Sequence, residues 1–357
     1  MTARGIIFVD AGTIWHRRIA EALGAVAPTI AFLPNNDVLM RMDLITPPGT
    51  ATARILKCGL PRGWASSLAL PAQALMARRI RRAARLLHNP VIVLPSHAYA
   101  PLSSYLRDLP LVYYGADDYD SYAGWPRALE RERAILKHCA LGVFVSDSLA
   151  ERAVTELGLP RERAFVSPNA TEQRFADSAT PIPEAVRTLP RPIVGVLGAL
   201  SARLDLEVLE AVASLPELGT LLVAGPLAPG LEGLSGPKVH VTGRLPHKEM
   251  HAYAQAMDAA LIPYGPGPLN YHCSPMRLWD HLATGVPIFA LDNCDQIVRY
   301  KDDCMNVASA SELPQKMATF LRKSIPKRKK PPDGILWETR AEMLFSRMKT
   351  IKSASHK

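Results

Sequence analysis

Short apolar runs alternate with amphipathic stretches along the first half of the chain. The runs lie at 5–10, 29–33, 91–95, 111–115, 141–146 and 164–168. Runs this short, rich in Ile, Val and Leu, are typical of strands in a parallel sheet that is covered on both faces. Residues 126–139 and 147–157 have the apolar spacing of helices, with Asp147 as the expected N-cap of the second one. The pattern predicts an open α/β sheet with right-handed crossovers.

The same alternation restarts after a proline-rich segment, 176–192. Predicted strands follow at 192–198, 220–225, 238–243, 259–264 and 287–291, and predicted helices at 205–215, 247–257 and 275–284. We therefore expect an N-terminal domain over 1–178, a linker over 179–191 and a C-terminal domain over 192–334. The remainder, 335–357, begins with an amphipathic helix that we expect to pack back on the N-terminal domain. Ligands of such sheets bind at the carboxyl ends of the strands.

The most specific motif is SPMRLWDHLATGVPIFALD, from Ser274 to Asp292. Its order of Pro, basic, acidic, Ala, Gly and Pro residues resembles the donor-binding segment of group 1 (family 4) glycosyltransferases, which have the GT-B fold. The matching positions are Ser274, Pro275, Arg277, Asp280, Ala283, Gly285 and Pro287. Residues 240–264 and 168–175 resemble two further segments of that family. The resemblance implies two Rossmann-like domains that face each other across a cleft, as in the transferases that build bacterial cell-surface polysaccharides.

The start of the helix predicted at 275–284 is suited to binding a diphosphate. Pro275 fits the first position of a helix, and the N–H groups that follow, from Met276 onward, have no acceptor within the helix. Arg277 adds a guanidinium that can form charge-assisted hydrogen bonds with phosphate oxygens. Asp280 shares a helix face with Arg277. It stands where the resemblance implies a carboxylate that binds the ribose hydroxyls.

This segment departs from the family pattern at three positions. His272 stands where many members have the first Glu of an E-x7-E pair, which contacts the transferred sugar. Arg277 replaces the more usual Lys, and Asp280 is one methylene shorter than Glu. Both of these exchanges preserve charge, although Arg and Lys are not equivalent around phosphate. His272 and Ser274 complete this part of the predicted donor site.

Two glycine-containing loops supply the rest of the predicted donor site. Gly198 ends the strand 192–198 without a side chain, so the backbone can approach a phosphate or a sugar. Arg203 follows in the same loop and is expected to reach the donor phosphates, whereas Asp205 is the expected N-cap of the next helix. The resemblance places Gly243 and Arg244 beside the nucleotide base.

Three acidic residues follow the predicted strand 111–115: Asp117, Asp118 and Asp120. Transfer with inversion needs a base that takes the proton of the acceptor hydroxyl, and crowding of carboxylates raises the pKa of at least one of them. The polysaccharide transferases that this stretch resembles have an aspartate base near this point, which makes Asp118 the first choice and Asp117 the second. His97 also follows a strand and is the competing base. The alternative for each residue is a structural role, as a cap, a solvent-facing acid or a core histidine.

The residues that close the first strand are candidates for the acceptor side. Where the family usually has a glycine-rich loop that faces the acceptor, this chain has Asp10-Ala11-Gly12-Thr13, with a single glycine. Gly12, Thr13 and, shortly after them, His16 are the candidate acceptor contacts.

Three alternative functions stay open. Asp118-Tyr119-Asp120 also spells DxD, the metal-binding signature of the other major transferase fold, GT-A, in which Mg²⁺ or Mn²⁺ bridges the donor phosphates. In the favoured interpretation the helix N-terminus and the arginines neutralise the leaving diphosphate, so neither a metal nor a cofactor is required. The second alternative is a non-catalytic relative that only binds the nucleotide sugar. The third, a dinucleotide oxidoreductase, ranks last because no GxGxxG follows the first strand of either domain.

The charge and aromatic content of the chain limit the kinds of binding partner that we expect. The 357 residues carry a net charge of +9. One stretch without acids holds Arg78, Arg79, Arg81, Arg82 and Arg85. A basic, partly apolar helix is suited to an anionic membrane surface, although a basic outer face of an ordinary packed helix is an equal alternative. Aromatic residues are only 6% of the chain and do not alternate with the basic runs, which argues against nucleic acid.

The cellular location of the protein is predicted from its apolar segments and its cysteines. The N-terminal apolar run is too short for a signal peptide, and no segment approaches the ~20 apolar residues that span a bilayer. The five cysteines lack CxxC spacing, which indicates free thiols in a reducing compartment. We expect a cytoplasmic protein, peripheral at the inner face of the membrane if the arginine helix binds lipid. The predicted reaction transfers a sugar from a UDP- or GDP-linked donor to a saccharide or lipid-linked saccharide, in cell-envelope or exopolysaccharide synthesis.

Overall fold

The computed structural model describes residues 4–35, 53–59, 70–122, 124–125, 127–231, 233–302, 305–323, 326 and 328–352. The chain divides into two compact units. The first comprises Met1–Pro168 together with Trp337–Lys357, and the second comprises Asn169–Leu336. Each unit is built on a parallel sheet, as the alternation of apolar and amphipathic segments predicts.

The first sheet has the strand order β3-β2-β1-β4-β5-β6-β7. The strands are β1 Ile6–Phe8, β2 Thr29–Asn35, β3 Ala53–Gly59, β4 Val91–Leu94, β5 Leu111–Gly115, β6 Leu141–Phe144 and β7 Ala164–Val166. The helices are α1 Ile14–Val26, α2 Leu70–Ala84, α3 Ala100–Tyr105, α4 Ala128–Leu136 and α5 Asp147–Thr155. Strand β1 pairs with β2 on one side and β4 on the other, so the order reverses between β1 and β4. Such a switch point is where ligands of open α/β sheets bind.

Strand β3 was not predicted from the sequence. It lies at the edge of the first sheet, where Arg54 is exposed and Lys57 is partly exposed. An edge strand buries less of its surface than a central one, so this segment lacks the continuous apolar run by which the central strands were recognised.

The second sheet has the strand order β10-β9-β8-β11-β12-β13, with its switch point between β8 and β11. The strands are β8 Ile193–Leu197, β9 Thr220–Ala224, β10 Val239–Val241, β11 Ala259–Ile262, β12 Ile288–Leu291 and β13 Met305–Ala308. The helices are α6 Gln173–Ala176, α7 Glu184–Arg187, α8 Leu206–Ala213, α9 Met250–Ala256, α10 Pro268–Tyr271, α11 Met276–Thr284, α12 Asp295–Arg299 and α13 Leu313–Leu321. Its core includes the fully buried Trp279 of α11.

The second unit begins earlier than the predicted domain end at residue 178. Asn169 donates its backbone N–H to the Ser274 hydroxyl (3.0 Å), and Thr171 donates its hydroxyl to Asp280 (2.6 Å). Phe175 is buried in the second core. The predicted linker also contributes to that core, because α7 inserts the buried side chain of Val186.

The last helix, α14 (Trp337–Lys349), packs against α1 in the first unit. Its apolar face is buried along Trp337, Ala341 and Leu344. The buried Arg4 donates a hydrogen bond to the Met348 carbonyl (3.1 Å) and another to the Ile351 carbonyl, both near the end of this helix. A cation at the carboxyl end of a helix also interacts favourably with the helix dipole.

Two further observations bear on the expected location. Among the described helices, none combines the length and the apolar character that a membrane span requires. No disulfide joins the described cysteines Cys58, Cys139, Cys273 and Cys294, all of which are buried. Cys304 lies outside the described residues.

Candidate functional site

The carboxyl edge of the second sheet brings two close-packed loops together. Gly198 follows β8 with φ +81, a backbone conformation that favours glycine. A Cβ on Gly225, which follows β9, would lie 2.4 Å from the Gly198 carbonyl oxygen, so a side chain there would clash with the neighbouring backbone. Gly198 therefore lies in a close-packed loop at the switch point, and its predicted contact with the donor stays a prediction.

Helix α11 begins at this edge with unpaired backbone donors. Pro275 precedes the helix and provides no side-chain cap. The Leu278 N–H bonds to the Pro275 carbonyl (3.0 Å), whereas the N–H groups of Met276 and Arg277 have no acceptor among the described residues. The helix ends at Gly285 with φ +69, as the sequence predicts. Its first turn can therefore donate to an anion.

Arg277 lies on this first turn with part of its guanidinium unused. Its Nη2 donates to the Ala199 carbonyl (3.1 Å), and its Cζ lies 5.3 Å from the centroid of the Tyr264 ring. Its Nη1 is buried and has no hydrogen-bond partner in the part of the chain that the structure describes. A Cβ on Gly198 would lie 3.5 Å from Nη2, so the guanidinium lies beside that loop. Within the described residues, Arg277 forms no ion pair, not even with Asp280 one turn later.

Arg203 converges on the same tyrosine from the loop after β8. Its Nε donates to the Asn270 side-chain oxygen (2.8 Å) and its Nη2 to the Leu269 carbonyl (3.0 Å). Its Cζ lies 5.4 Å from the Tyr264 ring centroid. Asn270 is itself fixed, because it donates to the Gly265 carbonyl (2.7 Å). Tyr264 and Asn270 were not among the predicted site residues.

The residues before α11 have mainly structural contacts. The Ser274 hydroxyl oxygen accepts hydrogen bonds from the Asn169 N–H and from Trp279 Nε1, both at 3.0 Å. It thereby holds the start of the second unit against α11. His272 is partly buried, with its ring 5.1 Å from that of Tyr271. Their predicted contacts with the donor stay predictions.

Asp280 points toward the segment that opens the second unit. Its Oδ1 accepts the Thr171 hydroxyl hydrogen bond (2.6 Å). Burial raises the pKa of Asp280 to about 7, although Thr171 and the nearby Arg174 and Arg277 oppose this shift. A carboxyl group in this state can accept a hydrogen bond and, when protonated, donate one.

Gly243 and Arg244 lie farther along the same edge. They follow β10, the outermost strand, which β9 separates from β8. Gly243 has φ +70, and Arg244 is exposed. Their predicted contact with a nucleotide base stays a prediction. Asp205 is the N-cap of α8, since its carboxylate accepts the Val208 N–H (3.1 Å), which confirms that prediction.

The carboxyl edge of the first sheet is acidic and aromatic. Asp10, after β1, accepts hydrogen bonds from the Tyr99 hydroxyl and from the Gly12 N–H, both at 2.8 Å. Burial raises the pKa of Asp10. A Cβ on Gly12 would lie 2.8 Å from the same carboxylate, so the single glycine of this loop makes room for Asp10. Gly12 was a predicted site residue, whereas Asp10 and Tyr99 were not. The position of Asp10 just after the first strand was the signal in the sequence that could have indicated it.

Thr13 and His16 have contacts within the first unit. Thr13 is the N-cap of α1, because its hydroxyl accepts the His16 N–H (3.3 Å). The His16 ring is buried among Phe8, Trp15 and Tyr114, with centroids 5.8–6.0 Å away. Burial lowers the pKa of His16 to about 3, so the imidazole is neutral near pH 7. Acceptor contacts of both residues stay predictions.

Asp118 is part of a buried charge network. It is 1% exposed, and its Oδ1 accepts from Arg152 Nη1 (2.7 Å) while its Oδ2 accepts from the Ser121 hydroxyl. Arg152 also lies 4.0 Å from Glu132, which accepts the Tyr113 hydroxyl hydrogen bond (2.5 Å). Burial raises the pKa of Glu132 to about 7. Both oxygens of Asp118 are thus engaged by protein donors.

The two other predicted bases differ in exposure. Asp117 is partly exposed and accepts from the Tyr122 hydroxyl (2.5 Å) and from the Asp118 N–H (3.1 Å). His97 is fully buried, with the rings of Tyr119 and Trp125 both at 4.7 Å. Burial, with a smaller effect of Arg131, lowers the pKa of His97 to about 4. Its ring nitrogens have no hydrogen-bond partner among the described residues.

The arginine-rich helix α2 divides its arginines between the protein and solvent. Arg81 pairs with Asp108 (2.6 Å) and Arg79 donates to the Cys58 sulfur (2.9 Å). The remaining three, Arg78, Arg82 and Arg85, are exposed. The apolar Met76 and Ile80 of α2 are buried in the core, whereas Leu86, just beyond it, is 71% exposed.

Comparison of sequences links one part of the chain to a known protein. A putative teichuronic acid biosynthesis glycosyltransferase of Bacillus subtilis (strain 168), TuaH, is 27% identical over 150 residues. These residues are 40% of this chain and 38% of the Bacillus protein, so the chain matches well under half of that relative. No protein-family model matches the sequence.

Comparison of structures covers almost the whole chain. Sucrose-phosphate synthase from Thermosynechococcus elongatus has a TM-score of 0.74 at 17% identity, over 99% of this chain and 100% of that one. An α,α-trehalose-phosphate synthase (UDP-forming) from Burkholderia xenovorans, in complex with glucose-6-phosphate, has a TM-score of 0.70 at 12% identity, over 97% and 100%. This chain has the GT-B fold.

The GT-B fold decides one of the open alternatives. The GT-A fold of the first alternative is wrong, because the chain builds two parallel-sheet units. Arg152 and Ser121 donate hydrogen bonds to the carboxylate of Asp118, the first acid of the DxD sequence. In the described part of this GT-B chain, no group of three His, Cys, Asp or Glu side chains is placed to hold a metal ion.

Proposed function

We propose that this chain is a glycosyltransferase that binds a nucleoside diphosphate sugar at the carboxyl edge of the second sheet. The observation that carries the proposal is the buried, unpartnered Nη1 of Arg277 beside the open first turn of α11. A buried donor without an acceptor costs roughly 1–3 kcal/mol, which a phosphate oxygen would offset. The Bacillus relative, named as a glycosyltransferase, supports the same class of reaction.

The groups around Arg277 suit a leaving diphosphate. The N–H groups of Met276 and Arg277 lie on the open first turn of α11. The guanidinium groups of Arg203 and Arg277 both lie over the Tyr264 ring, so positive charge is concentrated at this edge of the sheet. Negative charge develops on the diphosphate as the bond to the sugar breaks, and donors already in place stabilise it without reorganisation. We therefore propose a metal-independent transfer without a cofactor. Of the two predicted nucleotides we favour UDP, because the Burkholderia neighbour is named as UDP-forming.

Asp280 is the proposed ribose contact. Thr171 occupies one carboxylate oxygen and fixes its direction, which leaves the other for one ribose hydroxyl. Burial raises the pKa of Asp280 to about 7, so a hydrogen bond donated by the ribose hydroxyl would favour the ionised form, because it stabilises the carboxylate.

At the first sheet, we propose Asp10 as the general base. Its carboxylate lies at the switch point between β1 and β4, is partly exposed and is oriented by Tyr99 and Gly12. A raised pKa brings an aspartate closer to the range in which it accepts a proton efficiently. Asp118, the first choice from the sequence, would instead fix the loop after β5, because Arg152 and Ser121 hold it in the interior. Asp117 is the rival base.

The proposed acceptor is a saccharide or lipid-linked saccharide of the bacterial cell envelope. The Bacillus relative is named for teichuronic acid biosynthesis, which supports a polysaccharide context. We further propose a cytoplasmic protein that reaches its acceptor at the membrane surface through Arg78, Arg82 and Arg85. Exposed arginines near anionic lipid contribute about 1 kcal/mol each, and the neighbouring Leu86 adds an apolar contact.

Nucleotide titration tests the donor assignment. We would titrate UDP, GDP and ADP into the full chain by calorimetry, with Arg277→Gln and with Arg187→Gln, an exposed arginine of the same unit, as the matched control. We expect UDP to bind and Arg277→Gln to weaken it about 10- to 100-fold, because a charge-assisted contact is lost. The control should match the wild type. Equal affinity of wild type and Arg277→Gln would contradict the proposal.

Turnover separates an enzyme from a binding-only relative. UDP-sugar consumption would be followed with candidate acceptors, with and without EDTA. Binding without consumption would favour the non-catalytic alternative, and loss of activity in EDTA would overturn metal independence.

Vesicle sedimentation tests the membrane contact. The triple variant Arg78→Gln, Arg82→Gln, Arg85→Gln should lose binding to phosphatidylglycerol vesicles. A control that removes the same charge from Arg127, Arg133 and Arg161 should retain it. No binding of the wild type, or an equal loss in the control, would argue against a specific basic face.

A further inference from the structure

A basic cavity lies at the amino edge of the first sheet, opposite the edge that carries Asp10 and Asp117. Its volume is about 520 Å³. Leu111 and Leu141, the first residues of β5 and β6, contribute to its lining, as do the residues around the end of α14. We call it the basal cavity. Because the strands are parallel, their length separates it from the carboxyl-edge residues of the same unit.

The lining of the basal cavity is strongly positive. Its basic side chains are Arg107, Lys137, His138, Arg163, Arg347 and Lys352. Glu162 is the one carboxylate among the described lining residues. None of the lysines and arginines forms an ion pair within the described ranges, whereas Arg81, Arg127 and Arg161 of the same unit all do. Like charges that converge on a concave surface create a potential that a bound anion relieves.

The wall formed by α14 is held in place from within the protein. The buried Arg4 donates to the carbonyls of Met348 and Ile351, and Arg347 donates to the Glu162 carbonyl across the cavity rim. These contacts join α14 to β1 and to the segment before β7. The basic groups therefore come from four separate segments of the chain: the segments before β5, β6 and β7, and the end of α14.

We propose that the basal cavity binds a small anion with two or more phosphoryl groups, at a site separate from the proposed donor site. The volume lies within the range of small-molecule sites, ~300–1,000 Å³. The excess of lysine and arginine over acid matches several negative charges rather than one. A lipid surface fits this feature less well, because the charges surround a concavity instead of forming a face.

Titration with tripolyphosphate tests the site. The proposed donor site also attracts phosphates, so every protein in the series carries Arg277→Gln. We expect one equivalent to bind, and expect Lys137→Gln with Arg163→Gln to weaken binding at least about tenfold, since charge-assisted contacts are lost. The matched control, Arg127→Gln with Arg161→Gln, removes the same charge from the same unit and should bind as the parent does.

Each outcome decides the proposal. Absence of binding, or equal weakening by the cavity pair and the control pair, would overturn it, since the latter reports only net charge. Binding of phosphatidylglycerol vesicles that depends on Lys137 and Arg163, without binding of tripolyphosphate, would overturn it in favour of a membrane contact. UDP titration of the cavity pair without Arg277→Gln keeps the two proposals apart, because nucleotide affinity should equal that of the wild type.

Discussion

The two sheets carry opposite chemistry at equivalent positions. In each, polar groups gather where the strand order reverses, between β1 and β4 in the first unit and between β8 and β11 in the second. The first switch point carries Asp10, held by Tyr99. The second carries Tyr264 beneath two guanidinium groups, those of Arg203 and Arg277. The strand order around the two switch points is the same, so the difference lies in the side chains that each edge carries.

That difference indicates how each edge uses a ligand. Asp10, Asp117 and Asp118 of the first edge already accept hydrogen bonds from protein groups, which fix the directions of their carboxylates. Arg277 Nη1 at the second edge has no acceptor among the described residues, and a phosphate oxygen would provide one. We therefore expect the second unit to set nucleotide affinity and the first to set turnover.

The largest expected effect belongs to Asp10. In Asp10→Asn the side chain keeps an acceptor for Tyr99 but cannot take a proton, so kcat should fall about 10²- to 10⁴-fold. UDP affinity should be unchanged, because Asp10 belongs to the first unit. Initial rates and nucleotide titration measure the two quantities. The control is Glu151→Gln, an exposed carboxylate of the same unit.

Two kinds of result would contradict this division of roles between the two units. A loss of UDP affinity in Asp10→Asn would mean that the first edge also sets donor binding. Full activity of Asp10→Asn together with loss in Asp117→Asn would move the base to Asp117, and the same pattern in Asp118→Asn would restore the first choice from the sequence.

The sequence placed the candidate acids at the correct edge but did not reveal their partners. A polar residue directly after a buried strand lies at the carboxyl edge of a parallel sheet, which located Asp117, Asp118 and His97. Their contacts depend on distant segments: Arg152 lies 34 residues from Asp118, and Tyr99 lies 89 residues from Asp10. No local pattern encodes such pairs, so the burial of Asp118 and the role of Asp10 required the structure.

The start of the second unit shows a similar limit of prediction from sequence. Proline content predicted a linker after residue 178, whereas Asn169 and Thr171 already bond to the α11 region. Composition marks where regular structure is interrupted, but hydrogen bonds and burial decide to which core a segment belongs. Tyr264 was not predicted as a site residue for a similar reason. The apolar strand before it gives no indication of the two arginines that lie over its ring.

A smaller effect is expected on the free energy of unfolding and on how it depends on pH. Glu132 has a pKa of about 7 in the folded state, against ~4.3 in an unfolded chain. Between these values the folded state keeps a proton that the unfolded state has lost, so the free energy of unfolding falls as pH rises from ~4.3 to 7. Glu132→Gln removes this dependence, and at about pH 8 the variant should be more stable than the wild type by roughly 1–3 kcal/mol.

Denaturant unfolding at about pH 5 and about pH 8 measures that slope. Glu130→Gln on the same helix is the control, because Glu130 is exposed and its pKa is lowered by Arg127. Identical pH dependence of wild type and Glu132→Gln would mean that Glu132 ionises as it does in solvent. The first edge would then lack the buried charge network on which the contrast depends.

The next effect concerns the ring beneath the two arginines. Tyr264→Leu removes the aromatic face, and we expect UDP affinity to fall about tenfold, the equivalent of one or two cation–π contacts. Tyr264→Phe keeps the face and should retain affinity. Titration of both variants, with unfolding midpoints as a check on folding, separates a positioning role from a structural one. Equal loss in Tyr264→Phe would argue that the ring does not position the arginines.

The smallest effect compares two helix caps that stand at the two edges. Thr13 caps α1 and Asp205 caps α8, each through a side-chain oxygen that accepts a backbone N–H. Thr13→Val and Asp205→Ala should each lower the free energy of unfolding by about 1 kcal/mol, because each exposes an unpaired helix donor. Denaturant unfolding measures this, and Thr13→Ser should restore the cap. If Thr13→Val lowers kcat more than about tenfold although the variant is fully folded, the lost helix cap alone does not explain the loss, and Thr13 would contact the acceptor.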